Sequence, residues 1–342
     1  MSVPARGTPL TRDAGIDLPV IGGAMYPCSN PELVAAVSAS GGIGVVQPIS
    51  LTFVYRHEFR AGLRLIRSLT DRPIGMNALI EASSKAYKKR MEAWVDVALE
   101  EGIRFFVTSL GNPRWVVERA HAVGGFVYHD VTERRWAQKA LDAGVRGFIA
   151  VNQDAGGHAG SRSPAALLGE LADLGLPVVC AGGVSAPQDF VAALALGYAG
   201  VQIGTRLIAT TECGCSEEYK RAIVDAGADD IVHTERVTGV PLAVIDTPYV
   251  RRVGLRAGPL ARWMLRGHRR KHWMRSAYAL RSLFRLRKSS LASGAPVDYW
   301  QAGRSVAGVH AIEPVATVLG AYRAAAVAAF AQEIPTNTPP SS

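Results

Sequence analysis

A (β/α)8 TIM barrel with a C-terminal helical and basic extension is the α/β fold this sequence predicts, and three observations predict it. Eight short apolar runs bounded by glycine or proline recur over about the first 210 residues. They are almost continuously apolar, as strands buried on both faces of a parallel sheet are. Segments with helical patterning separate them. Eight such units in so short a length favour closure over an open doubly wound sheet.

The expected strands are Leu18–Ala24, Gly42–Gln47, Ile74–Leu79, Ile103–Ser109, Phe126–His129, Gly147–Val151, Pro177–Ala181 and Gly200–Gly204. The first helix opens at Asn30-Pro31-Glu32, where Asn30 can cap and Pro31 suits the first helical position, and it ends at Gly41. Glu118–Val123, Thr132–Ala143, Pro164–Leu174 and Pro187–Leu196 read as further helices, with Thr132 placed to cap and Gly144 and Gly197 placed to stop them. After Thr211 the alternation ceases. Glu217–Ala226 reads as a helix, Val237–Thr247 as extended, Gly294–Gly308 as loop and Val315–Gln332 as an Ala-rich helix. The expected organisation is a barrel over residues 1–215, a substrate or lid region over 216–334 whose last helix packs back on the barrel, and a flexible tail over 335–342.

Composition narrows the class. Of 342 residues, 48% are apolar and 20% charged, enough for a large core. No apolar run reaches the roughly 20 residues a membrane span needs, and Met1–Val20 lacks the apolar centre of a secretory signal, so a cytoplasmic protein is expected. Four cysteines make no disulfide scaffold. Cys213 and Cys215 form one C-x-C while Cys28 and Cys180 stand alone, and no second pair follows at zinc spacing, so no metal is expected. The net charge of +9 is local. Residues 251–288 hold 13 of the 38 Lys and Arg and no acid, which leaves 25 basic residues against 29 acidic ones elsewhere. The stretch interleaves Arg with aromatic and apolar residues. It fits a lid or homo-oligomer contact, a site for an anionic ligand such as a CoA thioester, or a segment lying on an anionic membrane surface. No nucleic-acid reader motif accompanies it.

In a barrel the chemistry sits at the C-terminal ends of the strands. Strand one is followed by Gly22-Gly23-Ala24-Met25-Tyr26-Pro27, small residues that let backbone approach a flat ligand or simply make a tight turn. Strand three carries Asn77, whose carboxamide offers a donor and an acceptor. Strand six runs into Asn152-Gln153-Asp154-Ala155-Gly156-Gly157-His158-Ala159-Gly160. His158, cleared by two glycines, is the leading proton acceptor, and Asp154 or another carboxylate could orient it. His129 is a weaker candidate at another strand end; His268 and His272 read as surface groups. Strands seven and eight end in Gly182-Gly183 and Gln202-Ile203-Gly204-Thr205, where backbone N–H groups and the Thr205 hydroxyl suit a phosphate. Neither the P-loop nor the dinucleotide-binding glycine pattern is present.

These motifs resemble the nitronate monooxygenase family of FMN-dependent barrels. The resemblance runs from about Pro19 to Gly320 apart from the basic stretch. It rests on Gly-Gly-Ala-Met at 22–25, Gly-Gly-Ile-Gly at 41–44, Asn77, Ala-Gly-Gly-His at 155–158, Ala-Gly-Gly-Val at 181–184, Gln-Ile-Gly-Thr at 202–205 and Trp300-Gln301-Ala302-Gly303. It implies FMN as cofactor and assigns roles. Ala24 and Met25 lie along the isoalloxazine, Asn77 hydrogen-bonds it, and Gly156 packs beside it. Gly182, Gly183, Gly204 and Thr205 hold the phosphate, Gln202 and Ile203 also contact the cofactor, His158 is the base, and Tyr299 or Trp300 lines the pocket. Many members have Gln-Gly where this chain has Val151-Asn152, so Asn152 or Gln153 takes over that flavin contact. Some members have a lysine after strand five, which His129-Asp130-Val131-Thr132 does not supply. The implied activity is oxidation of alkyl nitronates or nitroalkanes with O2 to a carbonyl compound and nitrite. The alternative is an NAD(P)H-dependent flavin reductase of a quinone or an enoyl-CoA-like thioester.

Overall fold

A computed structural model describes residues 7–81, 85–237, 239–256, 286–291 and 299–330. Eight strands close into a barrel in chain order: Val20–Gly22 (β1), Ile43–Val46 (β2), Ile74–Leu79 (β3), Phe105–Ser109 (β4), Phe126–Val131 (β5), Gly147–Val151 (β6), Val178–Ala181 (β7) and Gly200–Ile203 (β8). Every neighbouring pair is parallel. β1 joins both edges, Ile21 pairing with Ile43 on one side and with Gln202 on the other.

Strand alternation sorts the side chains into two layers. Ile21, Ile43, Val45, Phe105, Val107, Tyr128, Ile149 and Val179 fill the barrel interior. Met76, Phe106, Val127, Phe148, Val178 and Val201 face outward into the larger core under the helices. Those helices are Pro31–Ala39 (α2), Phe59–Leu69 (α3), Lys85–Glu100 (α4), Arg114–His121 (α5), Arg134–Asp142 (α6), Pro164–Leu171 (α7) and Pro187–Leu196 (α8). Close seating of α2 on β2 needs a glycine: a Cβ at Gly44 would lie 2.7 Å from the Val34 carbonyl carbon.

A short helix, Pro9–Ala14 (α1), plugs the N-terminal end of the barrel. Its Leu10 and Ala14 pack with the interior residues, and its Asp13 accepts a 3.0 Å hydrogen bond from Tyr128 Oη. The sequence gives no periodic signal for it, because six residues hold less than two helical turns.

After β8 come Thr205–Ile208 (α9), Glu217–Asp225 (α10), the antiparallel pair Ile231–Thr234 (β9) and Leu242–Ile245 (β10), and Pro248–Val253 (α11). The C-terminal helix Val315–Phe330 lies against α2 and α8, where Tyr322 stacks on Phe190 at 5.2 Å and donates a 2.7 Å hydrogen bond to Ser185 O. It thereby fills the place in the helix layer that α9 is too short to fill.

Some boundaries differ from expectation for local reasons. The helix expected at Glu118–Val123 begins earlier, at Arg114, directly after Pro113. Glu133 rather than Thr132 occupies the cap of α6. Asn30 has the extended backbone of a cap but makes no capping bond. Its Nδ2 donates to Glu32 and to Glu212 O, and its Oδ1 accepts from Gly214 N. β5 runs to Val131, two residues past the expected end at His129. Residues 304–308 of the expected loop form a 3-10 turn. Most of the basic stretch, residues 257–285, lies outside the described residues, as does the tail. Among the described residues no helix is long and apolar enough to cross a membrane.

Candidate active site

The C-terminal mouth of the barrel is built from the turns that leave the strands. Because β1 pairs with β8, the β1 turn lies against the β8 turn: Gly23 N donates to Ile203 O at 2.9 Å, and Met25 Sδ lies beside Gly204, 3.2 Å from where a Cβ there would stand. Ser29 closes the β1 turn by accepting from Met25 N at 2.8 Å, and the Tyr26–Pro27 peptide is cis. Ala24 packs on the interior layer. Gln202 points inward beside Gly23, whereas the Ile203 side chain faces the helices and offers the mouth only its backbone.

The β6 and β7 turns are knitted together. Asn152 is fully buried; its Nδ2 donates to Gly182 O at 2.9 Å and its Oδ1 accepts from Asp154 N at 2.9 Å. Its carboxamide holds the two loops together. Gly182 and Gly183 both have positive φ, +115° and +80°. Residues 302–303 join from the C-terminal region. Gly303 N donates to Thr205 Oγ1 at 3.0 Å, and a Cβ on Gly156 would stand only 3.0 Å from Gly303 N. Four segments therefore meet with little but backbone between them.

The region after α10 leans over this mouth. Ala243 N of β10 donates to Gly157 O at 2.8 Å, and Ile245 N donates to Trp300 O at 2.9 Å. Tyr299 and Trp300 pack into that region: Tyr299 meets Tyr249 edge-on at 5.1 Å, and Trp300 stacks on Tyr219 at 6.1 Å. Asn77 is buried on the inward side of β3, between the outward-facing Met76 and Ala78.

Three ionisable groups lie at the strand ends. His158 follows Gly157 at the mouth. One side of the residue is open to solvent, while protein crowding its ring lowers its pKa below the usual 6.5. It is therefore a neutral proton acceptor at pH 7. His129 is on the helix-facing side of β5 with Val127 and Val131. Its Nδ1 lies 2.8 Å from Thr108 Oγ1, and burial lowers its pKa to about 4, so it is an uncharged core histidine. Asp130 has the opposite parity, shared with the inward-facing Tyr128, and sits at the mouth. Its Oδ1 is enclosed and takes no hydrogen bond, and burial pushes its pKa up to about 7. Sequence reasoning passed over Asp130; the signal was its period-two relation to Phe126 and Tyr128.

The raised Asp130 pKa has a stability consequence. Between pH 3.8 and about 7 an unfolded chain gives up a proton that the folded chain keeps. Stability therefore falls as pH rises through this window, and the penalty is complete above 7. Asp130→Asn is expected to raise the unfolding temperature at pH 8, by at most ~4 kcal/mol of stability, and to change nothing below pH 4. Thermal melts at the two pH values check it; a variant less stable at pH 8 contradicts it.

The donor set suits a flavin phosphate and ring. There is no room for a Cβ at Gly182, Gly183 has a positive φ, and Gly156 lies against Gly303, so backbone lines the turns. A buried carboxyl oxygen without a partner faces the same mouth. A closed (β/α)8 barrel with this constellation at its C-terminal face defines a barrel oxidoreductase built around a flavin.

The profile of the family described as Nitronate monooxygenase matches residues 8–307, and the chain belongs to that family. It is accordingly a flavin-dependent oxidoreductase. Among its relatives, the (3aS,4S,5R,7aS)-5-hydroxy-7a-methyl-1-oxo-octahydro-1H-indene-4-carboxyl-CoA dehydrogenase of Mycobacterium tuberculosis is 30% identical over 259 residues, 75% of this chain and 70% of that protein. A nitronate monooxygenase of Pseudomonas aeruginosa is 30% identical over 256 residues, 62% of this chain and 72% of that protein. The solved structure of FabK from Thermotoga maritima superposes with a TM-score of 0.76 at 25% identity, covering 96% of this chain and 99% of that one.

Proposed function

We propose that this flavoenzyme holds FMN and exchanges electrons with a CoA thioester, with His158 moving the proton at the carbon next to the thioester carbonyl. The observation that carries this reading is where the basic stretch begins and ends. Tyr249 and Val250 of α11, next to Arg251 and Arg252, and Leu286, next to Arg287, sit in one apolar cluster with Tyr26 of the β1 turn. Burial raises the Tyr26 pKa and the Arg287 charge opposes it, so cationic charge stands at the rim of the mouth. Arg251, Arg252 and Arg287, three of the 13 Arg and Lys that the sequence carries over residues 251–288, thus adjoin residues of that cluster. A CoA carries a pyrophosphate and a 3′-phosphate, and such groups are what a dense cluster of guanidinium forks recognises. The carboxyl-CoA dehydrogenase relative adds support.

In this reading Gly182, Gly183, Gly204 and Thr205 hold the FMN phosphate. Ala24, Met25, Gly156 and the Gln202–Ile203 backbone line its ring, and Asn77 hydrogen-bonds it. FMN supplies the two-electron chemistry when bound. The protein supplies position and the proton path. The thioester carbonyl acidifies its α C–H, and a neutral His158 imidazole accepts that proton, or returns it when an enoyl thioester is reduced. Oxidation of nitronates with O2 is the second reading, favoured by the family itself; a nitro group acidifies the same position and would use the same base.

One anaerobic titration tests both. Bleaching of the flavin by a saturated acyl-CoA, or by NADPH or NADH with recovery on adding an enoyl-CoA, is expected. A thioester truncated to its N-acetylcysteamine stub should raise KM by about tenfold or more, since it keeps the reacting group and loses the phosphates. A flavin bleached by a nitronate alone overturns the thioester reading in favour of the second.

A further inference from the structure

Outside the mouth, closure of β8 on β1 gathers three cysteines that the sequence separates. Cys28 follows the β1 turn, and Cys213 and Cys215 lie between α9 and α10. Their sulfurs lie within 4.8 Å of one another, with Cys213 Sγ 3.6 Å from Cys215 Sγ. All three are buried free thiols. Asn30 pins the two loops around them, donating to Glu212 O at 2.8 Å and accepting from Gly214 N at 2.9 Å. The expectation that Cys28 stands alone fails because it depended on chain spacing, whereas the barrel seam sets the distance.

Metal–thiolate bonds of about 2.3 Å place three sulfurs of a trigonal site about 4 Å apart, within the spacing seen here. Thiolates select soft ions such as Cu(I) and Zn(II). Zinc in closed sites takes four strong ligands. Among the described residues no histidine or carboxylate joins the three sulfurs. The Cys28 and Ile208 carbonyls lie 3.6 Å from Cys213 Sγ and 3.7 Å from Cys215 Sγ, and the nearby Tyr55 and Tyr219 hydroxyls donate instead to Pro27 O and Gln301 O. That donor set favours a three-coordinate ion. We propose that Cys28, Cys213 and Cys215 form a trigonal thiolate site for a soft monovalent cation, Cu(I). On binding, three S–H protons leave to solvent and three Cu–S bonds form, with no change of oxidation state. The complex is anionic, and the enclosed Lys220 ammonium, which acts electrostatically on Cys213, partly offsets its charge. The bound ion would clamp the β1 turn, with Ala24 and Met25, to the chain leaving β8.

The test is an anaerobic titration of the reduced, flavin-loaded protein with Cu(I) against a chromophoric Cu(I) chelator. One equivalent is expected to leave the chelator. Cys28→Ser and Cys215→Ser should each weaken binding by roughly 100-fold, one ligand's share of a thiolate site, and Cys180→Ser should not. Should the serine variants misfold, alkylation mapping of the wild-type protein in denaturant sufficient to expose Cys180, which is buried like the other three, decides instead: Cu(I) should shield residues 28, 213 and 215 together and leave residue 180 unshielded. A wild-type protein that takes no copper from the chelator, equal uptake by Cys28→Ser, or a disulfide found among the three in the isolated protein overturns the proposal.

Discussion

Gly182→Ala is expected to yield a protein that no longer retains its flavin through gel filtration. A Cβ at Gly182 would stand 2.5 Å from Ala155 N and 2.8 Å from Ala155 Cα, and would also strike Asn152 Oδ1. These are backbone and a fixed carboxamide, so no flexible side chain can yield. The φ of +115° adds strain for any residue with a Cβ. The β6 and β7 turns must separate, and with them goes the hydrogen bond from Asn152 Nδ2 to Gly182 O. A cost of about 2–3 kcal/mol and an affinity loss of tenfold or more for flavin follow. Gly175→Ala is the control: its φ is +71° but nothing lies within 4 Å of its would-be Cβ. It should lose about 1 kcal/mol and no flavin. The visible absorbance per protein after gel filtration, measured with a thermal melt, separates the two. Full flavin content in Gly182→Ala would show that the β6–β7 contact does not shape the site.

The strands were legible in the sequence because a parallel barrel strand is buried on both faces, and its apolar run is its own signature. The pieces that complete the barrel were less so. α1 is too short to show a period, and it works by plugging a cavity that exists only once eight strands have closed. At the site, the glycine turns could be read residue by residue, but what each turn touches could not. The bond from Asn152 to Gly182 O spans 30 residues and leaves no local signature. Asp130 lay just beyond the expected end of its strand. Its inward direction follows only from the parity fixed by Tyr128. Cys28 and Cys213 are separated by 185 positions and meet only because β1 seals the barrel against β8.

The second large effect belongs to His158. His158→Ala is expected to keep its flavin, since the glycine turns and not the imidazole would hold the phosphate, and to lose about 10²–10⁴ in the rate of flavin reduction by a substrate that must first be deprotonated. The protein around the ring lowers the pKa of His158 below 6.5, so the active, neutral form prevails at pH 7. As pH falls through the lowered value the imidazole gains a proton and can no longer accept one. The acid limb of kcat/KM should therefore lie below pH 6.5, fall about tenfold per pH unit, and vanish in the variant. A substrate supplied already ionised, such as a nitronate anion, bypasses the base and should lose far less than its neutral nitroalkane parent. That contrast distinguishes proton abstraction from mere positioning, because a misplaced substrate would slow both forms alike. If the alanine variant reduces its flavin at the wild-type rate with the neutral substrate and keeps the acid limb, the base is another group. Asp130 is then the next to test, being the other proton-carrying side chain at the mouth, with a pKa of about 7.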